Sequence, residues 1–273
     1  MSGYITLQPD QHKSAGYTPA KSFQFASEIS VVPILKDEVA NTIGQMCLAF
    51  RKTLVGEVQS FDLVAMQSLQ HDRNFFILPD GRWFRGYIPA FYRAYPFALK
   101  QGGKSNQLQI CVNSDAIITE PAEEDLRFFD DKPELSPHLQ SVLKFLVTTL
   151  QNRQVTINLC KMLDEANLII EWPITFSEPD DNNQLQKKTL RGLYHIDAQA
   201  ISQLSGEQLV SLNHSGALSL AYSQLLSEAR LKELAELQTA YRQMEVNNQQ
   251  QAQQQEVPDL DSLFGQDDDL LSF

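Results

Sequence analysis

Residues 82–97 contain the side chains of this chain that are best suited to binding a ligand. Three arginines are interspersed there with aromatic residues, and this pairing of forked hydrogen-bond donors with large rigid rings is typical of binding hot spots. If the segment is a β-strand, Trp83, Arg85 and Tyr87 lie on one face, and Phe84 and Ile88 lie on the other. The pattern predicts a groove that takes a peptide, a carboxylate or a sugar. The candidate ligand-binding residues are Trp83, Arg85, Tyr87, Tyr92, Arg93 and Tyr95.

Two other interpretations of this segment stay open. In the first, it is a structural cluster in which tyrosine hydroxyls and guanidinium groups satisfy loop carbonyls around Pro89 and Pro96. In the second, it is the site of an enzyme of unknown chemistry that acts on a peptide or a glycan. That enzyme site would contain Arg85, Tyr87, Arg93 and Asp80. A deep pocket with convergent polar groups would favour the enzyme, and a shallow exposed groove would favour a binding protein.

The other reactive residue types form no recognisable site. The five histidines lack the spacing of metal ligands, and the serines lack the G-x-S-x-G motif of a nucleophile. The three cysteines lie among apolar neighbours, as buried free thiols do. We interpret one acidic group as a solvated patch around a turn: Glu120, Glu123, Glu124, Asp130 and Asp131. We therefore expect no catalytic residues, no metal site and no cofactor.

The composition is that of a soluble globular protein, with 42% hydrophobic and 21% charged residues. The net charge is −12, of which residues 245–273 supply −7, so the first 244 residues carry −5. Negative charge repels nucleic acid, and we expect no nucleic-acid partner. No apolar run reaches the roughly 18 residues that span a bilayer. The first residues also lack the basic start and apolar core of a secretory signal. The expectation is a cytoplasmic protein without a membrane span.

Residues 245–273 are predicted to form a disordered acidic tail. The glutamine-rich start of this tail offers no apolar face to bury. Two similar peptides follow at residues 259–264 and 267–273, and each joins acidic residues to leucine and phenylalanine. The second peptide, in which Phe273 supplies both a ring and a carboxylate, resembles the acidic tips of bacterial single-stranded-DNA-binding proteins, which bind an apolar pocket with a basic rim. The candidate partner-binding residues are Leu260, Leu263, Phe264, Leu270, Leu271 and Phe273. A second interpretation, in which the peptides fold back onto the chain's own core, stays open.

The elements that must position these residues follow from hydrophobic periodicity and turn signals. A proline–glycine turn at residues 79–81 joins two of the predicted strands into a hairpin. The predicted strands are 29–35, 53–58, 74–78, 83–88, 108–112, 169–176 and 190–196. The predicted helices are 36–50, 135–151, 154–168, 198–204, 207–212 and 215–244. Asp197 and Ser205 are placed to cap two of these helices.

These elements predict an α+β fold. A small antiparallel sheet built from hairpins is followed by a helix-rich second half and the disordered acidic C-terminal tail. The predicted organisation is an irregular leader at residues 1–25, a single domain at residues 26–244 and the tail at residues 245–273.

Several motifs resemble those of the bacterial SapC-like family, over about residues 25–237. The motifs are D-G-R-W at 80–83, Y-I-P at 87–89, R-A-Y-P-F at 93–97, I-C-V-N at 110–113, F-F-D-D at 128–131, L-R-G-L-Y-H-I-D at 190–197 and G-A-L-S-L-A-Y at 216–222. The resemblance implies a link to bacterial surface layers, and it brings no established catalytic residues. Labels of peptide or drug transport are attached to the family, but a chain without a membrane span cannot itself transport.

The sequence thus predicts a non-catalytic binding or accessory protein of the SapC-like family. We expect it to recognise a peptide or protein partner through the aromatic and arginine residues of segment 82–97. The tail would recruit a second partner.

Overall fold

A computed structural model of the chain describes residues 3–55, 58–102, 107–130, 134–179 and 184–255. The strands are β1 (Tyr4–Thr6), β2 (Gly16–Tyr17), β3 (Val31–Pro33), β4 (Leu48–Val55), β5 (Val58–Met66), β6 (Phe97–Gln101), β7 (Leu108–Asn113), β8 (Leu126–Arg127), β9 (Ile169–Glu171), β10 (Ile174–Pro179), β11 (Leu185–Leu190) and β12 (Leu193–Ile196). The α-helices are α1 (Pro9–His12), α2 (Val39–Thr42), α3 (Ala90–Arg93), α4 (Pro137–Glu165), α5 (Ala198–Ile201), α6 (Gly206–Ser215), α7 (Ala217–Ser227) and α8 (Arg230–Gln255).

The strands pair into small antiparallel sheets. The largest has five strands in the order β3-β5-β4-β12-β9, and a second has three strands in the order β1-β7-β6. Two further pairs, β10 with β11 and β2 with β8, complete the described sheets. Because helices fill most of the second half of the chain, the α+β prediction is confirmed.

The first hydrophobic core lies where the five-stranded sheet meets α7 and the second half of α4. Phe50 of β4, Leu163 of α4 and Ala221 of α7 have no exposed surface. Full burial of a side chain such as phenylalanine or leucine contributes about 1.5–3 kcal/mol. This core therefore fixes the sheet against the two helices.

The second hydrophobic core lies between the three-stranded sheet and the first half of α4. Val112 of β7 and Leu139 of α4 are completely buried in it. The ring of Tyr17 contacts Phe97 edge-on at 4.8 Å and stacks on Phe128 at 5.7 Å, measured between ring centroids. Residues near the start of the chain thus build this core, although the sequence predicts an irregular leader there. Strand β1 pairs with β7 and strand β2 pairs with β8, each about a hundred residues away, so no local pattern reveals these pairings.

One helix joins the two cores. With 29 residues α4 is about 44 Å long. Ser136 caps its start by accepting the Leu139 N–H at 3.3 Å, and Pro137 occupies the first turn, where no N–H is needed. The sequence predicts two helices here, separated near residue 152. The chain has no glycine or proline at that point, so the helix continues without a break.

Three further predictions about single elements are wrong. The predicted helix at residues 36–50 ends at Thr42, and β4 begins at Leu48. Leu48, Ala49 and Phe50 are all buried, because β4 lies inside the sheet with both faces covered. A strand of this kind has no alternating pattern, and its apolar run cannot be told from that of a helix.

The predicted hairpin at residues 74–88 forms only its turn. Leu78 N–H donates to the Arg82 carbonyl at 2.9 Å, and Gly81 adopts the positive φ of +82° that the turn requires. Only one isolated bridge, Ile77 with Trp83, joins the two arms. Phe75, Phe76 and Ile77 are buried in succession, so this arm lacks the alternation between a buried and an exposed face that a surface hairpin shows.

The predicted helix at residues 215–244 is divided into α7 and α8. At the end of α7, the buried hydroxyl of Ser227 accepts the Leu48 N–H at 2.8 Å. Helix α8 then continues to Gln255, through residues 245–255 that we expected to lie in the tail. Glutamine is a good helix former, which explains the extension. The partner-binding tail residues from Leu260 to Phe273 lie outside the described residues, and the division into one domain and a tail stays a prediction.

Glycine at position 216 is required by the turn between α6 and α7. Its φ is +87°, in the left-handed region that penalises side chains. We expect Gly216→Ala to lower the free energy of unfolding by about 1 kcal/mol in urea titrations. Gly206, at the start of α6, has no unusual φ and open space around it. Gly206→Ala should therefore be neutral or slightly stabilising, and an equal loss in both variants would contradict the explanation.

Candidate binding site

The predicted ligand-binding segment is anchored largely to the first core. Trp83 is half-buried, and its ring packs against Phe76, Tyr92 and Phe23 with centroid distances of 5.6, 5.7 and 5.7 Å. The indole Nε1 is buried and has no hydrogen-bond partner in the described part of the chain. The face predicted from strand alternation does not form, since the segment is not a strand. Trp83 points towards the core, whereas Arg85 lies on the surface.

Tyr87 and Arg93 converge on the buried carboxylate of Glu38. The Tyr87 hydroxyl donates to Glu38 Oε1 at 2.9 Å, and Arg93 donates to that hydroxyl at 2.8 Å. Glu38 also accepts the backbone N–H groups of Leu35 at 2.9 Å and Ala90 at 2.6 Å. Burial, followed by the hydrogen bond to Glu38, raises the pKa of Tyr87 to about 12. These contacts hold the loop before α3 against the start of α2.

Tyr92 is a core residue with a satisfied hydroxyl. Only 2% of its surface is exposed. The hydroxyl donates to Gln67 Oε1, and the Asn74 amide donates to the hydroxyl at 3.4 Å. Burial raises the pKa of Tyr92 strongly. Such a phenol is not available to a ligand from solvent.

Arg85 and Asp80 belong to two separate contacts. The Arg85 guanidinium pairs with Glu233 of α8 at 3.7 Å, and Asp80 pairs with its neighbour Arg82. The hydrogen bonds from Arg82, first of all its backbone N–H, lower the pKa of Asp80. The four residues suggested for an enzyme site thus divide among three partners, with Tyr87 and Arg93 at Glu38, Arg85 at Glu233 and Asp80 at Arg82.

An open groove lies between the two cores, alongside α4. Its volume is about 670 Å³, within the range of ligand pockets. Tyr95 is the one candidate ligand-binding residue that lines it. The Tyr95 ring stacks on Phe25 with 3.8 Å between centroids and 8° between planes. Phe91 and Leu150 contribute apolar surface and are 51% and 42% exposed. The groove therefore offers apolar side chains that solvent reaches.

Strands β6 and β7 form the opposite wall of the groove, and a few polar groups stand in the lining. Ala98 and Leu99 of β6 face it, while Asn113, Asp115, Thr149 and Arg153 supply polar atoms. Tyr4 also lines the groove, and burial, followed by the neighbouring Tyr95, raises its pKa. Apolar walls with a few polar groups are what a peptide-binding groove needs.

A family model described as SapC matches residues 7–234, well over half of the chain. The chain belongs to the SapC family. The resemblance predicted from the motifs is confirmed, and the match extends to the N-terminal residues that build the second core. No curated protein and no solved structure shows a significant match.

Within the described ranges, no group of three or more histidine, cysteine, aspartate or glutamate residues could hold a metal ion. No helix among the described residues is long and apolar enough to cross a bilayer. The three cysteines are buried free thiols, as predicted, and burial raises the pKa of Cys47 and Cys160 to about 12.

Most residues that line the groove could not be predicted from the sequence. Leu146, Leu150 and Arg153 share one side of α4, and their spacing predicts a helix face without showing that part of it stays open. Phe25 lies in a segment without any clear pattern. The SapC motif R-A-Y-P-F, at residues 93–97, was a sequence signal for the groove, because it contains Tyr95.

Proposed function

We propose that this SapC family chain is a non-catalytic binding protein that holds an apolar peptide segment of a protein partner. The groove between the two cores supports this proposal. Its walls are exposed apolar side chains, and Tyr95, stacked on Phe25, gives a rigid aromatic surface at low entropic cost. The tail would recruit a second partner, through the leucine and phenylalanine residues of its two peptides.

The aromatic and arginine segment has a supporting role in this proposal. Tyr87 and Arg93 hold the loop against Glu38, and Tyr92 holds α3 in the core. These anchors keep Tyr95 and Phe91 in place at the edge of the groove. Rigid placement matters because a groove that is already formed loses little conformational entropy on binding.

The proposal is tested by selection of peptides from a random displayed library. We expect the selected peptides to share closely spaced apolar residues and to bind with micromolar affinity. Ala98 faces the groove, so Ala98→Trp fills it and should weaken the binding of these peptides at least tenfold in fluorescence anisotropy.

The matched control is Ala40→Trp, which adds the same indole at an exposed site on α2 outside the groove lining. This variant should bind the selected peptides as the wild type does. Peptides that bind equally well to the Ala98→Trp protein would refute the groove as the binding site.

A further inference from the structure

The groove borders the open edge of a β-sheet. Strand β6 pairs with β7 on one side, and no strand in the described part of the chain pairs with its other side. We propose that the partner peptide binds in an extended conformation and adds to β6 as a fourth strand of this sheet. The inference rests on the proposed function, because it concerns the same groove. It defines the partner as a neutral, apolar segment whose backbone N–H groups are free.

The hydrogen bonds of the sheet show which backbone groups of β6 point outwards. The Asn113 N–H donates to the Pro96 carbonyl at 2.9 Å, and the Gly102 N–H donates to the Gln107 carbonyl at 2.8 Å. Hydrogen-bonded pairs alternate along an antiparallel ladder, so the even-numbered residues of this segment point towards β7. The N–H and C=O groups of Leu99 therefore point away from β7.

The other side of β7 agrees with this assignment. Leu99 lies opposite Ile110, whose carbonyl accepts the Leu7 N–H next to β1 at 3.0 Å. Ile110 thus points towards β1, and Leu99 points towards the open edge. The Phe97 carbonyl points to the same edge, whereas the Phe97 N–H donates to the Ala94 carbonyl at 2.8 Å. Among the described residues, none bonds the Leu99 backbone groups or the Phe97 carbonyl at this edge.

The lining of the groove shows that this edge is open to it. Phe97, Ala98 and Leu99 all line the groove, although consecutive side chains of a strand point to opposite faces of the sheet. Because three consecutive residues share only their backbone edge, the groove extends along that edge. Leu146 and Leu150 of α4 line the groove as well. A peptide in the groove would therefore lie between the edge of β6 and α4.

The edge of β6 lacks the protection that open strands commonly have. Natural proteins often block such an edge with a lysine side chain or a proline, which prevents unwanted pairing. The Nζ of Lys100 in β6 donates to the Tyr4 carbonyl at 2.9 Å, on the strand farthest from the edge. Its side chain therefore extends across the sheet and leaves the edge accessible. The sequence of β6, F-A-L-K-Q, contains no proline.

The charges of the lining favour a neutral peptide. Among the described residues that line the groove, Arg153 is the one cation and Asp115 is the one carboxylate, so their charges cancel. Arg153 is also paired with Asp62 at 3.4 Å. A charged peptide would gain no net attraction here, whereas an apolar strand would cover the exposed side chains of Phe91 and Leu150.

Backbone esters in the tightest-binding selected peptide test the proposal on the unchanged full-length protein. An ester replaces one N–H by oxygen, so it removes a donor and adds no bulk. A strand beside β6 donates one N–H to the Leu99 carbonyl and another to the Phe97 carbonyl, from residues two positions apart. We expect esters at these two positions to weaken binding about tenfold in fluorescence anisotropy, because each leaves a carbonyl unpaired. The ester between them should weaken it less than about threefold, because that N–H points away from β6.

Hydrogen exchange of backbone amides locates the contact on β6. The Leu99 N–H should exchange quickly in the free full-length protein, and about tenfold more slowly when the protein is saturated with the selected peptide. The Lys100 N–H points towards β7 and serves as the internal control, because it should exchange slowly in both states. NMR spectroscopy of the isotope-labelled chain measures both amides.

Two substitutions separate the Leu99 amide from its side chain. Leu99→Pro and Leu99→Ala both remove most of the side chain, but only proline removes the N–H. An edge strand accepts proline where the N–H points outwards, so the two variants should unfold at similar urea concentrations. The proline variant should bind the selected peptide about fivefold more weakly than the alanine variant. Should the proline variant not fold, the esters and the amide exchange decide.

The outcomes separate this inference from the proposed function. Peptides that bind, are blocked by Ala98→Trp and tolerate esters at every position would overturn strand addition and leave the groove standing. An unchanged exchange rate of the Leu99 N–H on peptide binding would do the same. Protection of that amide without peptide, rising with protein concentration, would assign the edge to a second copy and overturn our choice of partner. If no peptide is selected, the proposed function fails, and the inference with it.

Discussion

Glu38→Ala will lower the free energy of unfolding by about 3–5 kcal/mol. The carboxylate is 4% exposed and accepts two backbone N–H groups, from Leu35 and Ala90, and the Tyr87 hydroxyl. Alanine leaves these donors buried without an acceptor, at about 1–3 kcal/mol each, and removes the carboxylate opposite Arg93. Urea denaturation monitored by tryptophan fluorescence measures the loss.

Two further variants define what Glu38 contributes. Glu38→Gln keeps the shape of the side chain but loses its charge, and we expect an intermediate loss of about 1–3 kcal/mol. Glu236→Ala removes an exposed carboxylate that faces Lys232 at 3.9 Å and should cost at most about 0.5 kcal/mol. Similar small losses for Glu38→Ala and Glu236→Ala would show that the buried carboxylate is not an anchor.

Tyr92→Ala will also cost about 3–5 kcal/mol, because it leaves a large cavity in the first core. The Tyr92 ring packs against Trp83 and Phe25, and its hydroxyl bonds Gln67. The same urea experiment measures the effect. We expect Tyr92→Phe to lose less, about 1–2 kcal/mol, since only the hydroxyl is removed.

The neighbouring residue provides the matched control. Phe91 is 51% exposed and lines the groove. Phe91→Ala should cost about 1 kcal/mol or less in stability, yet weaken the binding of selected peptides about tenfold. If Phe91→Ala leaves peptide binding intact, the groove does not act through its aromatic wall. A Tyr92→Ala protein as stable as the wild type would contradict the structural role of Tyr92.

The side chains in and beside the SapC motifs have two different roles: some hold the fold together, and others face the groove. Trp83, Tyr87, Tyr92 and Arg93 contact the core or Glu38, whereas Tyr95 faces the open groove. Most candidate side chains of segment 82–97 therefore have a packing or hydrogen-bond partner within the protein. We propose that its role in recognition acts through Tyr95, with Phe91 beside it.

The sequence by itself determined the features whose signals are local. The SapC motifs identified the family, and turn and helix patterns identified the α+β class. The two predicted caps are present: Asp197 accepts the Gln199 N–H at 2.9 Å, and Ser205 accepts the Gln208 N–H at 3.2 Å. Caps and turns depend on residues at most four positions apart. They can therefore be recognised directly in the amino-acid sequence.

The tertiary structure alone decided which side chains are buried and where a groove remains. The groove combines Tyr4, Phe25, Tyr95 and Leu150, which lie far apart in the chain. Likewise, burial of Tyr92 depends on contacts with Gln67 and Phe25. An aromatic residue has the same local pattern whether it packs in a core or lines an open surface. The difference arises only when distant strands and helices exclude water from one ring and leave the next one exposed.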